Sequence, residues 1–285
     1  ADMFRPAMYV SLGAYAKPEN RTKALTLVRL AVNLGYAAGP AMGGLIIMGI
    51  GYKGLFWIDG SSCILAILIF VLLVKKKKKT VQQDTHAREI EITSVFKDKI
   101  FWIFLLMSFV TAMLFFQLFT TLPLYHHDRF GLTELQTGLL MTLNGLMIFT
   151  LEMPIVSYFE RKKVQKLKII LWGTLLITLS FYFLLINIWA GILVISMIFM
   201  SIGEMFAFPF SNTFALSRAP RGHEGRYMAL YTMSFSLAHI MSAKMGMEII
   251  SHFGYQTNWF IMGAFGIVAV GCCISLLRLL QLENR

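Results

Sequence analysis

Charge is the scarcest commodity in this sequence. Asp, Glu, Lys and Arg make up 14% of its 285 residues, against 57% hydrophobic ones, where soluble globular domains carry about 25% charged residues. The shortage excludes an ordinary water-soluble domain and makes the membrane span, about 20 apolar residues long, the natural unit of the chain. Acidic residues are scarcer than basic ones, 15 against 26, leaving a net charge of +11. That surplus does not point to nucleic acid: the basic residues sit in short segments between apolar runs, and no contiguous basic face is visible. Cysteine is nearly missing. Cys63, Cys272 and Cys273 all lie in apolar runs without a CxxC pair or a histidine at ligand spacing, which excludes a disulfide framework and a zinc site. Catalytic signatures are absent too: no HxxxxD pairing, nucleophile elbow or phosphate loop. A polytopic enzyme, such as a lipid acyltransferase, would need such a constellation at the membrane surface. No metal, organic cofactor or nucleic acid is expected.

What is there is a series of nine apolar segments: 1–15, 24–49, 54–74, 101–125, 134–159, 168–188, 190–214, 227–250 and 258–277. The pattern predicts an all-α, polytopic transmembrane helix bundle. The chain opens on alanine in a segment already span-like, with no signal peptide before it, so it is expected to be a piece that lacks N-terminal helices. Lys and Arg alternate in abundance across the membrane: 21 fall on one side and only Lys53 and Arg129 on the other. The positive-inside rule puts the richer side, and with it the C-terminus, in the cytoplasm. Lys75 to Lys79 form a stop-transfer cluster suited to anionic lipid head groups. Three domains follow: residues 1–74 as the remainder of an N-terminal bundle, 75–99 as a central cytoplasmic linker, and 100–285 as a six-helix bundle with a cytoplasmic tail.

The second segment reads RLAVNLGYAAGPAMGG, in which Gly35, Gly39, Pro40, Gly43 and Gly44 form G-x3-G-P-x2-G-G. This resembles the antiporter signature in helix five of major facilitator superfamily (MFS) transporters. Pro18 and Arg21 resemble the P-x-x-x-R connection before that helix, with one residue's difference in spacing. Further on, GEMFAFPFSNTFALSRAPRGHEGRYMALY resembles helices ten and eleven of bacterial drug/proton antiporters, through Gly203, Glu204, Pro209, Ala219, Pro220, Gly225 and Arg226. LEMPIVSYFERKK resembles helix eight and its basic turn. The resemblance covers the whole chain, as helices four to twelve of twelve, and implies the MFS fold, a bacterial inner-membrane location and no enzymatic activity. One departure stands out: relatives often have Gly-Pro in helix eleven where this chain has Lys244 and Met245.

Each charge inside a span costs about 3 kcal/mol on insertion scales and so calls for a reason. Glu204 lies near the middle of its segment and is the candidate proton-coupling residue; a protonated glutamate bonded to a neighbouring helix is the bland alternative. Met197, Met200, Ser201 and Phe208 share its face and suit lipophilic solutes. Arg29 and Glu152 both fall in the inner third of their segments. Because helices five and eight face each other in the family, the resemblance implies an Arg29–Glu152 salt bridge closing the cytoplasmic side. Alternatively Arg29 snorkels to the lipid surface and Glu152 pairs with Arg161 or Lys162. Asn33 and Tyr36 share the face of Arg29, and the glycines at 35, 39 and 43 form a small-residue seam for close helix packing beside the bend at Pro40. Gln117 and Asn144 either line the cavity or bridge helices. Asp2 and Arg5 can pair locally, as can Lys244 and Glu248. His239 in the eleventh helix titrates in the range a proton relay needs or is a hydrogen-bonded packing histidine, and His126–Asp128, in a short loop with no fourth ligand, is not expected to hold a metal.

The expectation is a monomeric, proton-coupled secondary transporter that exports small lipophilic or drug-like solutes, its partners being that solute, protons and the bilayer. Proton-coupled import of sugars, peptides or other metabolites is the alternative, and would place more charged and amide groups in the cavity.

Overall fold

The computed structural model describes residues 20–73, 95–186, 188–220 and 222–283, together with Met8 and Leu12. The first expected span, the Lys75–Lys79 cluster, Asp2, Arg5, Pro18 and most of the linker lie outside the described residues. All the regular structure among the described residues is helical: α1 (Arg21–Leu73), a 3-10 turn (Val95–Lys97), α2 (Lys99–Phe130), α3 (Glu134–Arg161), α4 (Lys166–Leu184), α5 (Gly191–Arg218) and α6 (Glu224–Glu283). Six of these stretches are long and apolar enough to cross a membrane.

Four of the expected spans meet in pairs inside continuous helices. Segments 24–49 and, but for a last residue outside the described ones, 54–74 fall within α1, and 227–250 and 258–277 within α6, each helix broken at one glycine, Gly51 (φ 71°) and Gly254 (φ 78°). Only glycine takes this left-handed backbone without steric cost, so the break needs no intervening loop. At Gly254 the chain turns back on itself. Ser242 and Asn258 would be about 24 Å apart on an unbroken helix at 1.5 Å per residue, yet both hydrogen-bond to Gln117. The arm Phe56–Leu73 is strongly apolar beyond Asp59 and the two serines after it, and none of it is buried among the described residues, which suits lipid or further helices as its surroundings.

Helix ends are fixed locally. Asp98 caps α2 by accepting from the Phe101 N–H (3.0 Å), and α2 stops at Gly131 in left-handed conformation (φ 62°). Thr133 and Gln136 close a reciprocal capping box on α3, satisfying two of its free N-terminal amides. Alternate helices run in opposite directions, so two apolar clusters form at the two ends of the bundle. Phe101, Phe104, Leu167, Phe214, Tyr227 and Leu276 meet at one end, and Leu122, Tyr125, Leu184, Leu193 and Trp259 at the other. Between them α4 and α5 cross backbone to backbone: a Cβ on Gly173 would sit 2.6 Å from the Ala207 nitrogen, and one on Gly203 2.7 Å from the Gly173 oxygen.

Chain contacts divide the molecule into two compact units, Ala1–Asn33 with Ser94–Arg285, and Leu34–Thr93. Arg29 and Asn33 therefore belong with α2 to α6.

Candidate functional site

Three helices each send an ionisable side chain to one point. Glu204 comes from the middle of α5, 13 residues after Gly191 and 14 before Arg218, or about 20 Å from each end. Glu152 comes from α3 and Arg29 from the first arm of α1. Arg29 Nη2 donates to Glu204 Oε1, its Nη1 donates to the Glu204 carbonyl at 3.2 Å, and its Nε lies 3.7 Å from Glu152 Oε2. The other Glu204 oxygen accepts from Asn144 Nδ2 at 3.1 Å, and the same amide reaches Ser201 Oγ at 2.9 Å. The Arg29 guanidinium also lies over the Phe208 ring, 5.0 Å from its centroid, within cation–π range.

The carboxylates are thoroughly desolvated: Glu152 is 0% exposed and Glu204 2%. Glu152 makes no hydrogen bond from either oxygen among the described residues; its link to Arg29 is ionic and looser than Arg29's grip on Glu204. Buried charge survives only when paired, which is why Arg29 crosses to α3 and α5 rather than reaching outward to lipid. A second contact between α1 and α3, Lys23 to Glu160 at 3.6 Å, lies closer to the helix ends. The order Lys23, Arg29 against Glu160, Glu152 runs antiparallel.

Other expected positions fall elsewhere. Asn33 is half-buried in the same unit, and its Nδ2 is without a partner among the described residues. Gln117 is not on a cavity wall. It is fully buried, its amide donating to the Ser242 carbonyl and hydroxyl (2.9 and 3.0 Å) and its oxygen accepting from Thr121 Oγ1 and Asn258 Nδ2. Two donors and two acceptor positions are thereby used up, which makes it a bridge between α2 and both arms of α6. Met197 and Met200, expected beside the solute, are buried in one apolar cluster with Phe181, Phe208 and Trp259. The α5 face they share with Glu204 turns toward neighbouring helices of the bundle. The helical backbone of α1 runs through Tyr36, Gly39, Pro40, Gly43 and Gly44, whose side-chain surroundings lie outside the described residues. At Gly35 a Cβ would meet nothing within 4 Å among the described residues. Glu248 pairs with His252 (3.8 Å) rather than with Lys244, and His239 stacks on Phe116 (4.4 Å). His126 is buried while His127 is exposed and bonded to Asp128 (3.0 Å). Among the described residues no three potential metal ligands converge.

Sequence reasoning missed two features. One is an aromatic shelf around Phe208, which meets Phe115 (4.9 Å) and Phe235 (5.5 Å) edge to face. The other is an ion cluster at the end of the bundle nearest the linker. There Arg218 donates to Asp98 (2.9 and 3.1 Å) and to Glu283 (2.7 and 2.9 Å), and Tyr227 Oη donates to Asp98 (3.2 Å). Burial works to raise the Asp98 pKa, but Arg218, the Phe101 N–H and Tyr227 outweigh it and hold the carboxyl below its ordinary 3.8. Residues 98, 218, 227 and 283 are too far apart in sequence for any local pattern to reveal their meeting.

Comparison with known proteins agrees with the arrangement of helices. The chain is 24% identical over 254 residues to the MFS-type transporter YttB of Bacillus subtilis, an alignment covering 88% of this chain and 63% of the relative. It is similar in fold to the human organic anion transporter MFSD10 (TETRAN), with TM-score 0.70 and 16% identity, over 90% of this chain and 65% of the human one. The chain thus spans under two thirds of the length of each. Residues 1–243 match the Major Facilitator Superfamily, and the chain belongs to that family of membrane transporters.

Proposed function

We propose that this chain is the greater part of a proton-coupled secondary transporter that exports small lipophilic solutes by alternating access. In this reading the protein sits in a bacterial inner membrane as a monomer with a cytoplasmic C-terminus. Residues 1–74 belong to one helical bundle, 75–99 to the linker and 100–285 to the other. The observation that carries the reading is the meeting of Arg29, Glu152 and Glu204 at mid-bundle, on three different helices. A charge held at bilayer depth is expensive and marks a solute or proton route. With Arg29 seated, α1 is tied to α3 and α5 and passage is closed. For the site to open, Arg29 must leave, and a carboxylate left behind in a low-dielectric site needs a compensating proton. Glu204 is the proton-coupling residue and Arg29 with Glu152 the gate. Export is favoured by the aromatic shelf of Phe115, Phe208 and Phe235 and by the resemblance of Gly35, Gly39, Pro40, Gly43 and Gly44 to the antiporter signature.

Proton-coupled uptake of a sugar, peptide or other polar metabolite gains from one observation. Asn144, Ser201 and the three charged groups make the site more polar than its methionines and phenylalanines alone suggest. The two readings differ in direction. Proteoliposomes of the full-length protein with an imposed pH gradient, loaded with ethidium, test export. Efflux should follow the gradient in wild type and lose that dependence in Glu204→Gln. Gradient dependence unchanged by the substitution removes Glu204 from the coupling role.

A further inference from the structure

The two kinked helices repeat each other in sequence. Gly51 and Gly254 are 203 residues apart, and the same shift, without a gap, sets Gly43 on Gly246, Tyr52 on Tyr255, Ile58 on Ile261, Gly60 on Gly263 and Ala66 on Ala269. Each left-handed glycine falls at the matching place in its helix. Repeats of this kind in membrane bundles are built as matching halves, so the covered copy says what the bare one is made to meet.

The second arm of α6 buries one stripe: Trp259, Met262, Gly263, Gly266, Ala269 and Cys273. Helix α4 covers it. The Phe181 ring lies 5.9 Å from that of Trp259, and a Cβ on Gly263 or Gly266 would strike Tyr182 or Thr178. Ile267 and Val268, off the stripe, are 58% and 52% exposed. The matching stripe on α1 is Phe56, Asp59, Gly60, Cys63, Ala66 and Phe70, and all six are exposed among the described residues. Asp59 is the odd member, a carboxylate at the place where Met262 is fully buried. It lies eight residues past Gly51, about 12 Å into the arm. Ser61 and Ser62 donate to the Ile58 and Asp59 carbonyls rather than to the carboxylate. Lys53, six residues back, is not at a spacing that faces it.

A carboxylate at that depth costs about 3 kcal/mol on insertion scales and is kept only with a partner. The buried acids Glu152 and Glu204 are countered by a guanidinium. The shift of 203 residues also says where the cover of α1 lies. Moved back by that amount, α5 ends over Tyr15, at the end of the first expected span, and α4 falls wholly before Ala1. We infer that the Phe56–Phe70 face of α1 docks on a helix of the longer protein that precedes residue 1, the counterpart of α4, and that this helix presents a lysine or arginine to Asp59. The inference rests on the reading of this chain as part of a longer transporter and adds to it a second buried ion pair.

Thermal aggregation of the full-length protein in detergent, followed by size-exclusion chromatography, provides the test. Asp59→Met and Asp59→Asn each strand the opposing cation and should lower the midpoint by about 10 °C. Lipid opposite Asp59 would instead let Asp59→Met raise the midpoint, and a neutral, hydrogen-bonded aspartate would leave Asp59→Asn at the wild-type value. Either result overturns the ion pair. Gly60→Trp and Ala66→Trp should also lower the midpoint, because a covered face has no room for the ring. Ile64→Trp and Leu65→Trp, which match the exposed Ile267 and Val268, should leave it unchanged. An equal response on all sides of the arm overturns the docking, as does a dimer that Gly60→Trp parts into monomers of unchanged midpoint. Where Gly60→Trp does not fold, Ala66→Trp against Leu65→Trp decides the matter. If wild type shows no gradient-driven ethidium efflux, the transport reading falls and these midpoints still judge the docking. If efflux follows the gradient while the midpoints go against expectation, only the docking falls.

Discussion

Removing Arg218 tests the ion cluster that closes one end of the bundle. In Arg218→Met the aliphatic stem is kept and the guanidinium lost. Two charge-assisted bonds to Asp98 disappear, at 2.9 and 3.1 Å, and two to Glu283, at 2.7 and 2.9 Å. The two halves are not equal. The Asp98 side chain is only 12% exposed, so its loss of a charged partner costs about 2–3 kcal/mol, softened by the remaining bonds from the Phe101 N–H and Tyr227. The Glu283 side chain is 45% exposed, and water takes over there at a cost of about 0–1 kcal/mol. Asp98→Asn should therefore destabilise much more than Glu283→Gln, and Arg218→Met by about 2–4 kcal/mol. Maleimide labelling of Cys273, which is fully buried in the core near this cluster, follows unfolding on heating once Cys63 and Cys272 are replaced by serine. The effect has a definite pH dependence. The folded pKa of Asp98 is below its ordinary 3.8, so its contribution is present above that value and lost as the pH falls through the folded pKa. The gap between wild type and Arg218→Met should hold at neutral pH and shrink below about pH 4. A gap that is the same at all pH values, or Glu283→Gln matching Asp98→Asn, would refute the reasoning.

Other substitutions probe the packing and the site. Gly203→Ala forces a methyl to within 2.7 Å of the Gly173 oxygen and should destabilise by about 1–3 kcal/mol, read by the same labelling of Cys273; an unchanged midpoint means α4 and α5 can part freely. Gln117→Leu deletes the bridge to Ser242 and Asn258 and should cost about 1–2 kcal/mol while leaving the gradient dependence of ethidium efflux untouched; a changed dependence would put Gln117 back on the transport path. Thr133→Ala removes half of the α3 capping box and should cost about 1 kcal/mol, with faster hydrogen exchange confined to the first turn of α3. Exchanging charges, Arg29→Glu together with Glu152→Arg, keeps one cation against two acids. It should recover more gradient-driven efflux than either single change, and a double variant no better than the singles would uncouple the two residues.

Membrane residence was legible because it depends on composition and run length alone. Eight of the expected apolar segments coincide with helical stretches, down to the breaks between neighbours at Gly51 and Gly254. The approach of Arg29 to Glu152 was an implication of the resemblance to the family, in which the helices that carry them face each other; the residues alone said only that each buried charge needs a partner. The sequence could not rank the partners. It separated Glu204 as proton site from Arg29 and Glu152 as gate, whereas Arg29 holds Glu204 more closely than it holds Glu152. The face of α5 was legible only in part, for a related reason. Met197 and Met200 share a wheel position with Glu204, but a helix inside a bundle has neighbours on several sides, and a wheel does not say which of them is solute.

By itself, then, the sequence determined the solvent, the element type and the short roll of charges that lipid would not tolerate unpaired. These follow from transfer free energies, which are properties of residues one at a time. Only the tertiary structure decided which charges meet, that Gln117 is a saturated bridge between helices, and that Phe115, Phe208 and Phe235 form one surface beside two acids. Such facts depend on how helices distant in sequence rotate and cross. Rotation is set by the summed packing of whole faces, including contacts as specific as Gly173 on Gly203, which no local pattern records.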